Sequence, residues 1–292
     1  MRSSVPGIVL GLYRSRYERD LFEGALKLGV NRIDTSYNYY GFRAHQTLAE
    51  RAGDLLEHFS ISTKVGFFPT ETGRSEHSLQ PARLRQAVQE SVNVLGAPPQ
   101  IVFLHNPEHT LARCGVSQGT DLLASACAEL ALMTKEGWCD SWGIASWNPR
   151  PLIELVVGEE VPVEVFPPVF MSRVGLTVGA RVLEEIETLA QVWKIPPECR
   201  WGMSPFAGHS TDPVWARVNT RAFLEGDPEC SNLAAAFRVA YALPEVARVA
   251  VGTDQLAHLD ELIRAVCLSV DAKAIAEYRR LLGSTSPQSP VR

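Results

Sequence analysis

Lysine is scarce in this chain: it supplies five of the 28 basic residues in a 292-residue sequence, and arginine supplies the other twenty-three. No Lys/Arg block occurs and the formal net charge is −5. A nucleic-acid groove or a surface for acidic membranes needs a basic footprint, and none is present. Against so thin a background, a lysine inside a strand pattern draws notice. The six cysteines, Cys114, Cys127, Cys139, Cys199, Cys230 and Cys267, form no C-x-x-C pair. That spacing excludes a zinc cluster and gives no disulfide framework, so they read as buried free thiols. No stretch approaches the roughly 20 apolar residues of a membrane span. The opening "MRSSVPGIVLGLYRS" has too short an apolar run for a signal peptide. A soluble, cytoplasmic protein is expected. The first strand is followed by "GLYRSR" and not by G-x-G-x-x-G, which argues against a doubly wound dinucleotide-binding sheet. That strand also lacks His-x-His at its end, which argues against a metal-hydrolase barrel, and no metal is expected.

What the chain does have is alternation. Short β-branched runs at 7–12, 30–35, 59–65, 100–105, 139–146, 165–172, 199–206 and 247–253 give way to helical-period segments about every thirty residues. The helices are expected at 18–28, 44–57, 81–95, 121–135, after Pro149, and at 180–193, 233–242 and 256–266, with a last one at 272–282. Leu84, Val88, Val92 and Leu95 share one helix face, and Gly96 is a natural stop. Strict β–α alternation means parallel strands with helical crossovers. Eight such units in one chain predict an α/β fold, a single (β/α)8 TIM barrel over residues 1–283, with a disordered tail at 284–292.

A barrel directs attention to the C-terminal ends of its strands, where catalytic residues sit. Three of these ends are polar in an informative way: Asp34, Lys64 and His105, on neighbouring strands. "RIDTSYNYYGF" adds Tyr37, Tyr39 and Tyr40 just past Asp34. Singly, each has an ordinary explanation. The aspartate can cap a loop, the lysine can snorkel at a rim, and the histidine can be a satisfied core residue. Together they suit proton delivery. A phenol with a pKa of about 10 releases its proton poorly at neutral pH. A nearby ammonium favours the phenolate, and that ammonium needs a counter-ion in a dry site. An imidazole N–H can hold an oxygen on which charge develops. The set fits carbonyl reduction, and because no side chain donates hydride, a nicotinamide cofactor is implied.

"RIDTSYNYYG", "ISTKVG" and "IVFLHNPE", with the helix "LRQAVQESVNVLG" leading into the last, resemble the aldo-keto reductase family. The resemblance is strongest over residues 30–106. It implies a (β/α)8 barrel that binds NADPH or NADH without a Rossmann fold, and an Asp–Tyr–Lys–His tetrad. The aspartate is then Asp34, the lysine Lys64 and the histidine His105. The family's tyrosine lies five residues after the aspartate, as Tyr39 does, and directly before a glycine, as Tyr40 does. Tyr39 is preferred, because its distance from the anchored strand end fixes its reach. The family's N-terminal hairpin is expected to be short or absent, since strand 1 begins near residue 7.

The cofactor positions depart further from the family. Its Ser-Asn pair for the carboxamide falls on Ala145 and Ser146 in "GIASWNP", with Asn148 close by. Its glutamine falls on Met171, Ser172 or Arg173, and its "YSPL" is "MSPF", which includes Ser204 and Phe206. Met203 replaces the aromatic that stacks on nicotinamide, with Trp201 and Trp147 as substitutes. Gly252 and Thr253, at a helix N-terminus, suit a phosphate. The basic residue for a 2′-phosphate falls, by spacing, on His258. With no clear arginine there, NADPH, NADH or both remain open.

Tyr37, Tyr40, Phe67, Phe68, Trp147 and Phe206 are candidates for an aromatic substrate wall. "STKVG" resembles the branch of the family that handles aldoses, lactols and related hydroxy-carbonyl compounds. The expected partner is a small carbonyl or sugar-like molecule, with no nucleic acid and no membrane. His45, His77, His109, His209 and His258 carry no such context and are expected to be non-catalytic. A redox-neutral lyase or isomerase, or a non-catalytic ligand-binding barrel, is the alternative on the same fold. The sequence carries no signature of oligomeric state.

Overall fold

Among the described residues ten short strands occur, most of them set by β-branched and aromatic runs between turn residues: β1 (Ile8–Gly11), β2 (Arg32–Asp34), β3 (Ser60–Val65), β4 (Phe67–Pro69), β5 (Ser75–His77), β6 (Ile101–His105), β7 (Ser141–Ser146), β8 (Val169–Arg173), β9 (Arg200–Met203) and β10 (Arg248–Val251). The structure is a computed structural model that describes residues 7–157, 162–226 and 228–285. The expectation of a short or absent N-terminal hairpin bears on residues 1–6, which lie outside the described residues, as does the tail expected at 284–292 from residue 286 on. Residues 284 and 285 belong instead to the last helix, Ala272–Thr285, which runs past its expected end at 282.

Eight of the strands close into a parallel barrel in the order β1-β10-β9-β8-β7-β6-β3-β2. Helices cross over between successive barrel strands, so this is the expected (β/α)8 architecture. Alternation along the strands sorts the core. Val9, Ile101, Phe103, Ala145, Val169, Met171, Trp201 and Ala250 fill the barrel interior, with Met203 packed on them. The intervening residues face outward and build two larger clusters with the helices. Gly143 marks how tightly the interior is filled: a Cβ there would lie 2.4 Å from the Val169 carbonyl oxygen and 2.8 Å from the Phe103 ring.

The helix Pro81–Leu95 shows how the local sequence sets an element. Pro81 begins it, Leu84, Ala87, Val88 and Leu95 are buried, and Gly96 ends it in the left-handed conformation at φ 77°. Other boundaries moved for identifiable reasons. The helix expected at 121–135 begins at Val116, where Gly119 packs closely on Leu155. The strand expected from Val165 begins at Val169, because Val163–Val165 forms a 3-10 turn and two prolines follow it. The antiparallel hairpin β4–β5 was not expected, nor were the short helices Tyr39–Phe42, Glu108–Leu111 and Val214–Arg217. Among the described residues, no helix is long and apolar enough to cross a membrane, and no group of three potential metal ligands occurs.

Candidate active site

Strand register brings three of the predicted groups to one rim. Asp34 pairs with Ser62, and Lys64 stands two residues further along the same face of β3. Lys64 pairs with Phe103, and His105 is the next inward position on β6. The chain beyond β2 stays tied to β3: the Thr35 N–H donates to the Ser62 carbonyl at 2.9 Å and the Tyr37 N–H to the Lys64 carbonyl at 2.9 Å. A one-turn helix, Tyr39–Phe42, follows, in which Tyr40, Gly41 and Phe42 all have positive φ. This tight turn points Tyr39 and Tyr40 in different directions.

Tyr39 faces the barrel mouth. The Lys64 ammonium lies 5.1 Å from its ring centroid, and its ring centroid is 6.0 Å from that of His105. Lys64 is 1% exposed, and donates to Asp34 Oδ2 at 2.5 Å and to the Thr35 carbonyl at 2.8 Å. Ser62 Oγ donates to Asp34 Oδ1 at 2.9 Å. His105 Nδ1 lies 3.1 Å from the buried Ser36 hydroxyl, which leaves Nε2 as the ring nitrogen for the cavity. Tyr40 is 59% exposed and packs on Tyr17 at 5.5 Å between centroids.

These contacts set the protonation states. Burial lowers the Lys64 pKa, but the Asp34 charge and the Tyr39 phenol more than offset it, and the ammonium is held charged. Burial pushes the Tyr39 phenol up, and Lys64 opposes that only in part, so the phenol keeps its proton at neutral pH. Burial and the Lys64 charge push His105 well below the ordinary imidazole value, leaving it neutral.

The four side chains border a cavity of about 750 Å³ at the C-terminal mouth of the barrel. Its size lies within the roughly 300–1,000 Å³ of small-molecule and cofactor sites. Phe67, Trp147, Ser204, Phe206, Gly252 and Thr253, expected from the sequence, line it. Phe67 arrives on the β4–β5 hairpin and meets the His105 ring at 5.0 Å.

Tyr37, Tyr40, Phe68, Ser146 and His258 are not brought to this cavity. Tyr37 turns outward and donates to Glu90 at 2.5 Å. Phe68 is buried beneath the Arg83 guanidinium. Ser146 follows the inward Ala145, so alternation turns it away, and its hydroxyl donates to Glu108 at 3.1 Å. Glu108 also accepts the N–H groups of Trp147 (2.7 Å) and Asn148 (2.9 Å), which fixes the loop after β7. His258 lies in a separate surface cleft with Glu229, Glu261 and Arg264.

Sequence reading missed Tyr13, Asn38, Asn106, His109, His209 and Asp254 as lining residues. Tyr13 is two residues past β1 and packs its ring, tilted by 56°, on Tyr39 at 5.1 Å, so the strand-end rule could have found it. Asn106 follows His105, and its side-chain oxygen is buried without a partner. His109 reaches the site on a helical turn that the sequence did not announce.

The family profile described as "Aldo/keto reductase family" matches residues 12–169, more than half of the chain. Among curated proteins, none matches. Solved structures match along most of their length. The holo form of an aldo-keto reductase from Bacillus halodurans is 18% identical with a TM-score of 0.69, over 94% of this chain and 91% of that one. An aldo-keto reductase from Klebsiella pneumoniae in complex with NADPH is 15% identical with a TM-score of 0.68, over 98% and 93%. An aldo/keto reductase from the same organism, in complex with NADP and acetate, is 13% identical with a TM-score of 0.69, over 98% and 94%.

Proposed function

This chain belongs to the aldo/keto reductase family, and from that premise we propose that it is a nicotinamide-dependent oxidoreductase interconverting a carbonyl and an alcohol. The carbonyl is an aldehyde, a ketone or the open form of a sugar-like lactol. The observation that carries the reading is the buried Lys64 ammonium, held by Asp34 and set against the Tyr39 phenol at the wall of a cofactor-sized cavity.

A bound nicotinamide dinucleotide supplies the hydride, which no side chain can donate. The residues present fit such a group. Met203 and Ala250 give an apolar wall for a flat ring. Asn106 lines the cavity with a buried side-chain oxygen that has no partner and can accept from a carboxamide. Gly252 and Thr253 precede the helix Leu256–Val266, whose N-terminus favours phosphate. Ser204 and Phe206 line the same side. Two Klebsiella pneumoniae relatives were solved with NADPH and with NADP, which supports a nicotinamide cofactor here.

The chain's own residues then handle the proton. In the reductive direction, Tyr39 transfers its phenolic hydrogen to the carbonyl oxygen as hydride reaches the carbon. The phenolate left behind is stabilised by Lys64, whose charge Asp34 maintains. The neutral His105 imidazole holds the oxygen between itself and Tyr39. In the oxidative direction, the phenolate takes the proton from the alcohol. Phe67, His109 and Trp147 border the space beside these groups and give aromatic and hydrogen-bonding surface for a hydroxy-carbonyl substrate.

Quenching of tryptophan fluorescence by NADH and NADPH, followed by a panel of aldehydes and lactols, tests the reading. Binding of at least one dinucleotide and its oxidation by a carbonyl are expected. Binding of neither, with the protein folded, overturns it.

A further inference from the structure

We propose that Asp254 selects the dinucleotide: its carboxylate accepts a hydroxyl of an unphosphorylated ribose and disfavours a 2′-phosphate, so that this chain uses NADH. The assignment rests on the oxidoreductase reading above. The proton-handling groups occupy the β2–β3–β6 side of the cavity, and the rest of it runs toward β9 and β10. A dinucleotide with its reactive ring beside Tyr39 therefore extends toward Gly252, Thr253 and Asp254, where Asp254 is a lining residue.

Asp254 is fixed there by the loop after β1. Ser15 Oγ donates to Oδ1 at 3.0 Å, the Arg16 N–H to Oδ1 at 3.3 Å, and Arg16 Nε to Oδ2 at 3.3 Å. Its side chain keeps 22% exposure, and of its roughly four acceptor sites these three bonds leave one, on Oδ2. An ionised carboxylate only accepts hydrogen bonds. A ribose diol offers two donors, whereas a phosphate dianion offers none and is repelled. Rossmann folds, a different architecture, use the same chemistry: an acid for the ribose hydroxyl and an arginine for the 2′-phosphate.

The surrounding cations do not reverse this sign. Arg16 is engaged by Asp254 and by Glu18 at 3.6 Å. Arg14 leans over Tyr13 and donates to the Gly208 carbonyl at 3.5 Å, across the cavity. His209 lines the same side, and His258, the basic residue expected from spacing, is in the separate cleft.

The test is calorimetric titration of the full chain with NADH and with NADPH, for the native protein, Asp254→Asn and Asp254→Ser. The native protein is expected to bind NADH at least tenfold more tightly. Either variant should tighten NADPH about tenfold relative to NADH, and Asp254→Asn keeps an acceptor for Ser15. NADPH binding as tight as NADH in the native protein, or an unchanged ratio in the folded variants, overturns this assignment alone. Binding of neither overturns it together with the oxidoreductase reading.

Discussion

The Lys64 ammonium stands 2.5 Å from the Asp34 carboxylate, and both residues are almost wholly removed from solvent. A buried pair of this kind is a poor source of stability, because two charges have been dehydrated to make it. Its location beside a phenol at a cavity wall fits the proton-handling role proposed above. Asp34→Asn should leave an uncompensated ammonium and cost about 3–5 kcal/mol. Asp34→Asn/Lys64→Met should recover part of that stability and none of the turnover. Urea unfolding and steady-state rates on the three proteins check both statements.

Tyr39→Phe should lower turnover by about 10²–10⁴-fold, the usual share of general acid catalysis. Its affinity for dinucleotide should stay within about twofold, since the ring remains and only the proton is lost. Tyr40→Phe is the control and should behave as the native protein does, because Tyr40 faces solvent and Tyr17. Paired rate and binding measurements decide between the two tyrosines.

Acid should destabilise the fold through its buried histidines. Burial and the Lys64 charge lower His45 to about 4, and burial lowers His77 to about 4 despite its bond to the His105 carbonyl. A folded pKa below the unfolded value of about 6.5 means that the unfolded chain takes the proton first. The stability these groups contribute is complete above about pH 6.5 and is lost as pH falls toward 4. Each adds a slope of about 1.4 kcal/mol per pH unit in that window. Unfolding between about pH 7 and pH 5 should show it, with a shallower slope in His45→Gln.

Gly143→Ala probes the packed interior beneath the site. The new methyl would meet the Val169 carbonyl oxygen and the Phe103 ring below contact distance. Overpacking of this kind costs about 1–3 kcal/mol. Because Phe103 pairs with Lys64, turnover should fall more than the loss of folded protein explains. Denaturation midpoints and active-site-titrated rates measure the two effects.

The barrel was legible because its two periods are clean, and the strand ends because titratable residues closing three neighbouring apolar runs have few joint uses. Asp34, Lys64 and His105 met that description. The rest depended on rotation and reach. Ser146 follows the inward Ala145, so strict alternation would have excluded it. Counting forward from Gly252 pointed to His258, but that residue lies inside the helix Leu256–Val266, and the loop residue Asp254 is the one at the cavity. Tyr37 finds its partner, Glu90, 53 residues away, a contact that no local pattern announces. The β4–β5 hairpin has neither alternation nor length, and only the folded chain shows that it sets Phe67 against His105.

Transfer of a deuterium label tests the central claim most directly. The protein is mixed with NADH or NADPH carrying deuterium at both positions of the reactive ring carbon and with a panel of aldehydes and lactols, and the alcohols are analysed by mass spectrometry. The expected result is one deuterium on the former carbonyl carbon of at least one product, formed about 10²–10⁴-fold more slowly in Tyr39→Phe. Products without label, or label transfer that Tyr39→Phe leaves at the native rate, would contradict it.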